Sequence, residues 1–378
     1  MEKNLFGKLF PKNIRFWTKS QGIVGVDIGS SSIKVVQLKK EKEQAVLETY
    51  GELATGPYGK ASIGQVVKLS ENTVADMLKD LAKESGVNAK EAAVSIPVRD
   101  SLITYIKLPL VPEKEMDEVV KFEARKYIPV PLTEVDLDWW ILQPEKQLGA
   151  DGDEGEVEDE DEIETKKEVV EVLLVAIHKE MVQKYQTILS KAGFKIKLFE
   201  IEIFSTWRST AFRQSTPVMV VDLGASSTKM SIIDGGLLKA SHTIDRGSQL
   251  LSGSISKSLK ISFERAEEMK RQIGLSPKPE YTELVRVMDS TLGFIFADTK
   301  QFMLNYRRKS NNSVGQVILT GGGSLLKGVV DTAVKNLGVE VVLTDPFNKT
   351  EYPPFLQEAL KDIGPSFSNA VGLALRGL

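Results

Sequence analysis

Cysteine is absent from the 378 residues, and histidine occurs only at His178 and His242. With no thiolate and two imidazoles, a zinc site has almost no ligands to draw on, and both histidines read as packing or surface residues. The lack of thiols excludes disulfides and is compatible with a reducing compartment. Long apolar runs are missing too. No stretch approaches the ~20 residues of a membrane-spanning helix, and the first residues lack the charged-then-apolar order of a signal peptide. The expectation is a cytoplasmic protein. A strong basic excess is also lacking, the formal charge being -3, and no nucleic-acid partner is expected. What remains is ordinary for a globular chain, 42% hydrophobic and 27% charged, and long enough for two domains with separate cores.

Charge is unevenly spread. Residues 151–162, DGDEGEVEDEDE, carry nine carboxylates and no base. Self-repulsion and glycine content predict a disordered acidic loop over about 145–168, either a solvated insertion or an arm for a basic partner. The opposite mixture occupies residues 1–21, where Leu5, Phe6, Leu9, Phe10, Ile14, Phe16 and Trp17 alternate with Lys3, Lys8, Lys12, Arg15 and Lys19. Such a tail fits peripheral contact with an anionic membrane, and it also fits packing on the body of the protein. Pro11 breaks any single long helix there.

Two glycine-rich loops of one kind lie almost two hundred residues apart: VGVDIGSSSIKVVQL at Val24 to Leu38 and VVDLGASSTKMSIID at Val220 to Asp234. In each, a β-branched run ends in an Asp, a Gly follows two positions later, and small hydroxyl residues lead into a second apolar strand. Asp27 and Asp222 fall at strand ends, where they can meet a metal ion. Gly29 and Gly224 let the backbone bend, so that amides and the hydroxyls of Ser30, Ser31, Ser32, Ser226 and Ser227 point at phosphate oxygens, with Ala225 in the second loop. A third segment, QVILTGGGSLLKG at Gln316 to Gly328, reads as a buried strand, a triple glycine and a helix start. Gly321, Gly322 and Gly323 leave room for a flat base or ribose, with Ser324 near the helix N-terminus. The same segment also fits a strand-to-helix turn that merely needs glycine.

In this order the three loops resemble those of the actin, sugar-kinase and heat-shock-chaperone ATPase superfamily. A narrower resemblance lies in Ser95 to Leu142, above all in EARKYIPVPL at Glu123 to Leu132, followed by VEVLLVAIHKEMVQKYQTILSKAGFK at Val170 to Lys195, TDPF at Thr344 to Phe347 and AVGLALR at Ala370 to Arg376. These segments resemble PilM, the actin-like family of type IV pilus assembly. The acidic loop is longer than that pattern leads one to expect.

The resemblance implies an α/β, actin-like (ribonuclease-H-like) two-lobed ATPase fold with an inserted FtsA-like subdomain in the first lobe. The first lobe is expected over 22–215 with the insertion at about 92–192, the second over 216–360 with a helical part at about 248–310, and a C-terminal segment over 361–378 returning to the first lobe. Apolar spacing predicts helices at Asn72 to Ser85 and Glu113 to Ala124, and puts Leu250, Leu251, Ile255 and Leu259 on one helical face.

It also implies roles. ATP or ADP is the expected cofactor, with Mg²⁺ held by Asp27 and Asp222 through water. Lys34 matches the superfamily's phosphate lysine, and Glu267 and Lys270 match the helix that reaches ribose and adenine. Glu202 and Asp222 are the catalytic candidates, Glu202 standing where the superfamily positions a water. Ile203 replaces the proline of that motif and Ala225 replaces a second acidic residue of actin, so a slow ATPase at most is expected.

The implied partner is the N-terminal peptide of a PilN-like inner-membrane protein, taken into an apolar groove formed by the YIPVPL-bearing subdomain and the first lobe. Pilus motor or platform proteins are further expected partners, a homo-oligomer is not excluded, and the working place is the inner face of the inner membrane. Two other readings are a filament-forming FtsA-like division protein and a small-molecule kinase. The first would add a C-terminal amphipathic helix after the segment ending here at Leu378; the second needs an acceptor-side base that the motifs do not provide.

Overall fold

β-Branched strands alternating with short turns build two sheets of the same plan. The computed structural model describes residues 22–109, 111–142, 169–210, 215–276 and 278–378; the N-terminal tail and the acidic loop lie outside the described residues. In the first sheet, β1 (Ile23–Ile28) is flanked by β2 (Ser32–Glu41) and then β3 (Gln44–Ala54) on one side, both antiparallel to their neighbours. On the other side lie β4 (Glu91–Ile96) and β8 (Lys195–Ile201), both parallel, giving the order β3-β2-β1-β4-β8. The second sheet repeats the pattern with β9 (Val218–Leu223), β10 (Thr228–Asp234), β11 (Leu237–Ile244), β12 (Gln316–Thr320) and β13 (Glu340–Leu343) in the order β11-β10-β9-β12-β13. Ile23, Val24 and Val26 of β1 and Met219, Val220 and Val221 of β9 are all buried, as strands covered on both faces must be.

Helices cover these sheets. α1 (Glu71–Glu84) starts at Ser70, whose hydroxyl accepts from the Thr73 amide, and buries Met77, Leu78 and Leu81. The second sheet carries α5 (Ser248–Leu259), α6 (Phe263–Ile273), α7 (Thr282–Ser310) and α8 (Val329–Leu337). Leu251 and Ile255 of α5 enter this core with Met288, Leu292 and Phe296 of α7, whereas Leu250, expected on the same face, is exposed: it lies about 100° from Leu251 around the helix. α4 (Glu202–Thr210) and the last helix, α9 (Gln357–Gly377), cross where Gly372 meets the Ser205 backbone so closely that a Cβ would lie 1.8 Å from its carbonyl oxygen. α9 also packs Ala370 and Ala374 against Gly25 of β1, and Phe367 and Val371 among Val36 and Leu38 of β2.

The chain divides into two compact units, one spanning Arg99–Gln183 and the other comprising both five-stranded sheets. This is narrower than the insertion expected at about 92–192. The Glu91–Ile96 strand pairs with β1, which assigns it to the larger unit, and the division at the other end falls within α3 (Lys179–Lys191). The inserted unit is an antiparallel sheet, β5 (Ser101–Pro109), β7 (Val169–His178) and β6 (Val135–Leu142) in that order. α2 (Glu113–Ala124) packs Met116, Val120 and Ala124 into its core with Ile106, Val172 and Leu174.

Candidate functional site

The two glycine hairpins have one geometry. Gly29 donates its amide to the Ser32 carbonyl at 3.0 Å, and Gly224 donates to the Ser227 carbonyl at 3.0 Å. A Cβ at either glycine would stand 2.8 Å from that same oxygen, so close approach inside the turn, rather than an unusual φ, requires glycine. The outward carbonyls are taken up: Thr55 donates to Ser30 and Ser31, and the amides of Ser248 and Gln249 at the start of α5 donate to Gly224 and Ala225. Carbonyls turned to the scaffold leave the amide and hydroxyl edge of each loop for an anion.

The third loop sits against the second hairpin. Gly321 has φ +82°, and a Cβ there would lie 2.1 Å from Asp222 Oδ1, while Gly323 is pressed on the Leu223 carbonyl. A side chain at Gly322 would meet nothing within 4 Å, so this face of the loop is open to a flat group. The expected helix start is not there. Gly322–Leu325 forms a single 3-10 turn, and α8 begins only at Val329 because Gly328, at φ +81°, first reverses the chain. Ser324 is buried and donates to the Gly321 carbonyl at 2.7 Å, shaping the loop from within. Gly321 and Thr320 in turn donate to the Pro365 carbonyl of α9 at 2.8 and 2.9 Å, anchoring the loop to that helix.

Glu267 and Lys270 are brought together, 2.6 Å apart and both buried. Ser252 and Arg271 also donate to Glu267. Burial pushes the Glu267 carboxyl up, but Lys270, Ser252 and Arg271 together hold it below its ordinary value. Lys270 is lowered by burial against the opposing pull of Glu267. It reaches the Ser248 carbonyl, and Ser248 packs beside Gly323, so the pair adjoins the glycine loop. Gly64, at φ +86°, lies against the Glu267 carboxylate, and the Val66 amide donates to Gln249 of α5, closing residues 64–66 on the second sheet's helices.

The carboxylates at the strand ends have defined partners. Asp27 accepts from Asn369 of α9 at 2.8 Å, and Asn369 also donates to Ser95. Lys34, opposite Asp27 in the hairpin register, is held by the Ser32 hydroxyl at 2.7 Å and by Glu52 at 3.1 Å. Asp222 faces Lys229 across the second hairpin at 3.2 Å. Lys229 extends to Glu202 at 2.8 Å, whose other oxygen accepts from the Val98 amide at 2.9 Å. Burial raises the Asp27 and Glu202 carboxyls above their ordinary range, against Lys34 and Lys229 for Asp27 and against Lys229 for Glu202. Burial acts on Lys229 the other way, but Asp222, Glu202 and Asp27 outweigh it and hold the ammonium protonated. A small cavity borders Glu202, Thr206, Asp222, Lys229 and Ser231.

Sequence reasoning missed Lys229 and Asn369. Lys229 was legible, since it follows Asp222 by seven residues as Lys34 follows Asp27. Asn369 was not, because it meets Asp27 across 342 residues. The residues suit a nucleotide: two amide hairpins, an open glycine face and lysines beside them. They suit a protein-bound Mg²⁺ poorly. Asp222 is ion-paired to Lys229, and one oxygen of Asp27 is taken by the Asn369 amide.

A family model described as type IV pilus assembly protein PilM matches residues 25–378. The structure is similar to a solved PilM-PilN type IV pilus biogenesis complex, with 25% identity, TM-score 0.77, and coverage of 95% of this chain and 99% of that one. The sequence is similar to cell division protein FtsA of Enterococcus faecalis, 23% identical over 356 residues, 85% of this chain and 78% of that protein. An MreB of Spiroplasma citri bound to ADP shares the fold at TM-score 0.50 and 12% identity, covering 95% of each chain.

Proposed function

The chain belongs to the PilM family of type IV pilus assembly proteins, and from that membership we propose that it is a nucleotide-holding adaptor which takes the N-terminal cytoplasmic tail of a PilN-like membrane protein. The observation that supports the partner most is the similarity, over nearly the whole chain, to the PilM of a PilM-PilN complex. Among the described residues no helix is long and apolar enough to cross a membrane; such a partner would give the protein a place at the inner face of the inner membrane. The FtsA relatives are less identical and cover less of the chain, which favours the pilus reading over filament formation.

The nucleotide, ATP or ADP, would lie with its phosphates between the Gly29–Ser32 and Gly224–Ser227 turns and its base on the Gly321–Gly323 loop. Lys34, Ser30, Ser31 and Ser226 would bind it, and Glu267 and Lys270 would border its sugar and base. Bound nucleotide supplies a cross-link between the two sheets. Asp27, through Asn369, ties the first hairpin to α9, and α9 holds the glycine loop through Pro365, so the first hairpin and the glycine loop touch one helix, while the second hairpin is held by the start of α5. Glu202 is already held by Lys229 and by the Val98 amide, so positioning a water would compete with those contacts. The site is built to hold a nucleotide rather than to turn it over quickly.

For the partner, the inserted unit exposes Tyr127 and Phe122 while Ile128 joins its core, so of the two residues at the proline turn Tyr127 is the one open to a peptide. Titrating the purified protein with a synthetic peptide of the PilN-like tail, followed by calorimetry, is expected to saturate at one peptide per chain. Deleting that tail from the membrane protein is expected to abolish co-purification; full-yield co-purification without it would refute the peptide mode.

A further inference from the structure

The sequence places a metal ion where the structure places an amine. Lys229 lies on β10, opposite Asp222 in the hairpin register, and its side chain is only 21% exposed. Its ammonium stands 3.2 Å from Asp222 and 2.8 Å from Glu202, two carboxylates supplied by different elements, β9 and α4. Those are the two acids that the sequence assigns to metal holding and to water positioning. The hairpin opposite carries the same arrangement, with Lys34 paired in register to Asp27, but there the amine leans on Ser32 and Glu52. The two lysines therefore differ in what they do. Lys34 is tied to its own sheet, whereas Lys229 joins Asp222 at the phosphate hairpin to Glu202 at the head of α4.

A hydrated divalent cation keeps several waters and needs carboxylates free to accept from them. Asp222 is engaged by an ammonium that would also repel such an ion, and Asp27 has one oxygen on Asn369. A polyphosphate brought toward Asp27, Asp222 and Glu202 meets three carboxylates, and it needs positive charge between them and itself. We propose that Lys229 is the resident cation of this site: it neutralises Asp222 and Glu202, faces the phosphate chain, and lets ATP and ADP bind without a divalent metal. The inference rests on the nucleotide reading above. An ammonium donates at most three directed hydrogen bonds, and two are used by the carboxylates, which leaves one for a phosphate oxygen.

The test is calorimetric titration of the full chain with ATP and with ADP, once in EDTA and once in excess MgCl₂. The wild-type protein is expected to bind with affinities that agree within about threefold between the two conditions, far less than loss of a charged contact would give. Lys229→Gln is expected to lose about tenfold or more in EDTA and to regain affinity when MgCl₂ is added, as the vacated carboxylates accept the ion. Lys229→Arg, which keeps the charge, is expected to stay insensitive to the metal and guards against a Gln variant that fails to fold. Wild-type binding that appears only with MgCl₂ overturns the proposal and leaves the nucleotide reading intact. Absence of binding in both conditions overturns the nucleotide reading and the proposal with it.

Discussion

Glu202 shows what burial does to a single charged residue. It heads α4, its side chain is about one-tenth exposed, and Lys229 and the Val98 amide satisfy its two oxygens. Glu202→Gln keeps the shape but replaces a charge-assisted pair with a neutral contact, and is expected to cost about 1–3 kcal/mol in urea unfolding. Turnover of ATP by the wild-type protein is expected to be far below the roughly 10 per second of a median enzyme; rapid turnover that Glu202→Gln removes would show that this carboxylate is a working base. The pH dependence has a definite sign. Asp27 and Glu202 titrate above their ordinary values in the folded protein, so it binds their protons more tightly than the unfolded chain. Their contribution to stability is complete below about pH 4 and is lost as pH rises through the raised values. Glu267, held below its ordinary value, contributes with the opposite sign, so the share of Asp27 and Glu202 is read as the difference in pH dependence between wild type and Asp27→Asn or Glu202→Gln, which lack it.

At the scale of elements, the α4–α9 crossing connects the two halves of the proposed nucleotide site. α4 presents Glu202 to the second hairpin, and α9 presents Asn369 to the first and the Pro365 carbonyl to the glycine loop. The helices are held at close range by Gly372 and by Glu200, which is buried and bonded to Arg208 of α4 and Arg376 of α9. Such a paired buried acid is a specific tie between elements, and removing one partner is costly. Gly372→Ala puts a methyl group against the Ser205 backbone, which cannot yield without moving one helix. The expected loss is about 1–3 kcal/mol, read by thermal unfolding, together with weaker nucleotide binding. An unchanged melting temperature would mean that the crossing is looser than the close approach implies.

For the whole molecule, the two sheets with one strand order each carry a glycine hairpin at the same place, and the inserted unit is a compact body of its own. The acidic segment enters and leaves that body at neighbouring points: Leu142 at the end of β6 pairs with Glu171 near the start of β7. Removing residues 151–162 leaves enough chain to span neighbouring strand ends, and changes closure entropy by less than about 1 kcal/mol. The deletion is expected to keep both the melting temperature and the affinity for the PilN-like peptide. Loss of peptide binding with the fold intact would make the acidic segment part of the partner contact.

The sequence by itself determined whatever is written in neighbouring residues. The strand-turn-strand pattern around Asp27 and Asp222, the strand before Gly321 and the helix at Glu113–Ala124 all follow from local periodicity and glycine placement, and the family was legible in the YIPVPL segment. Tertiary structure decided the rest. It moved the strand Glu91–Ile96 out of the insertion by pairing it with β1, delayed the helix after the triple glycine to Val329, and separated exposed Tyr127 from buried Ile128. It also chose the partners of the charges: Asn369 for Asp27, and Lys229 for both Asp222 and Glu202. A carboxylate's chemistry depends on what lies within a few ångströms of it, and those neighbours are brought together by packing between segments that are distant along the chain.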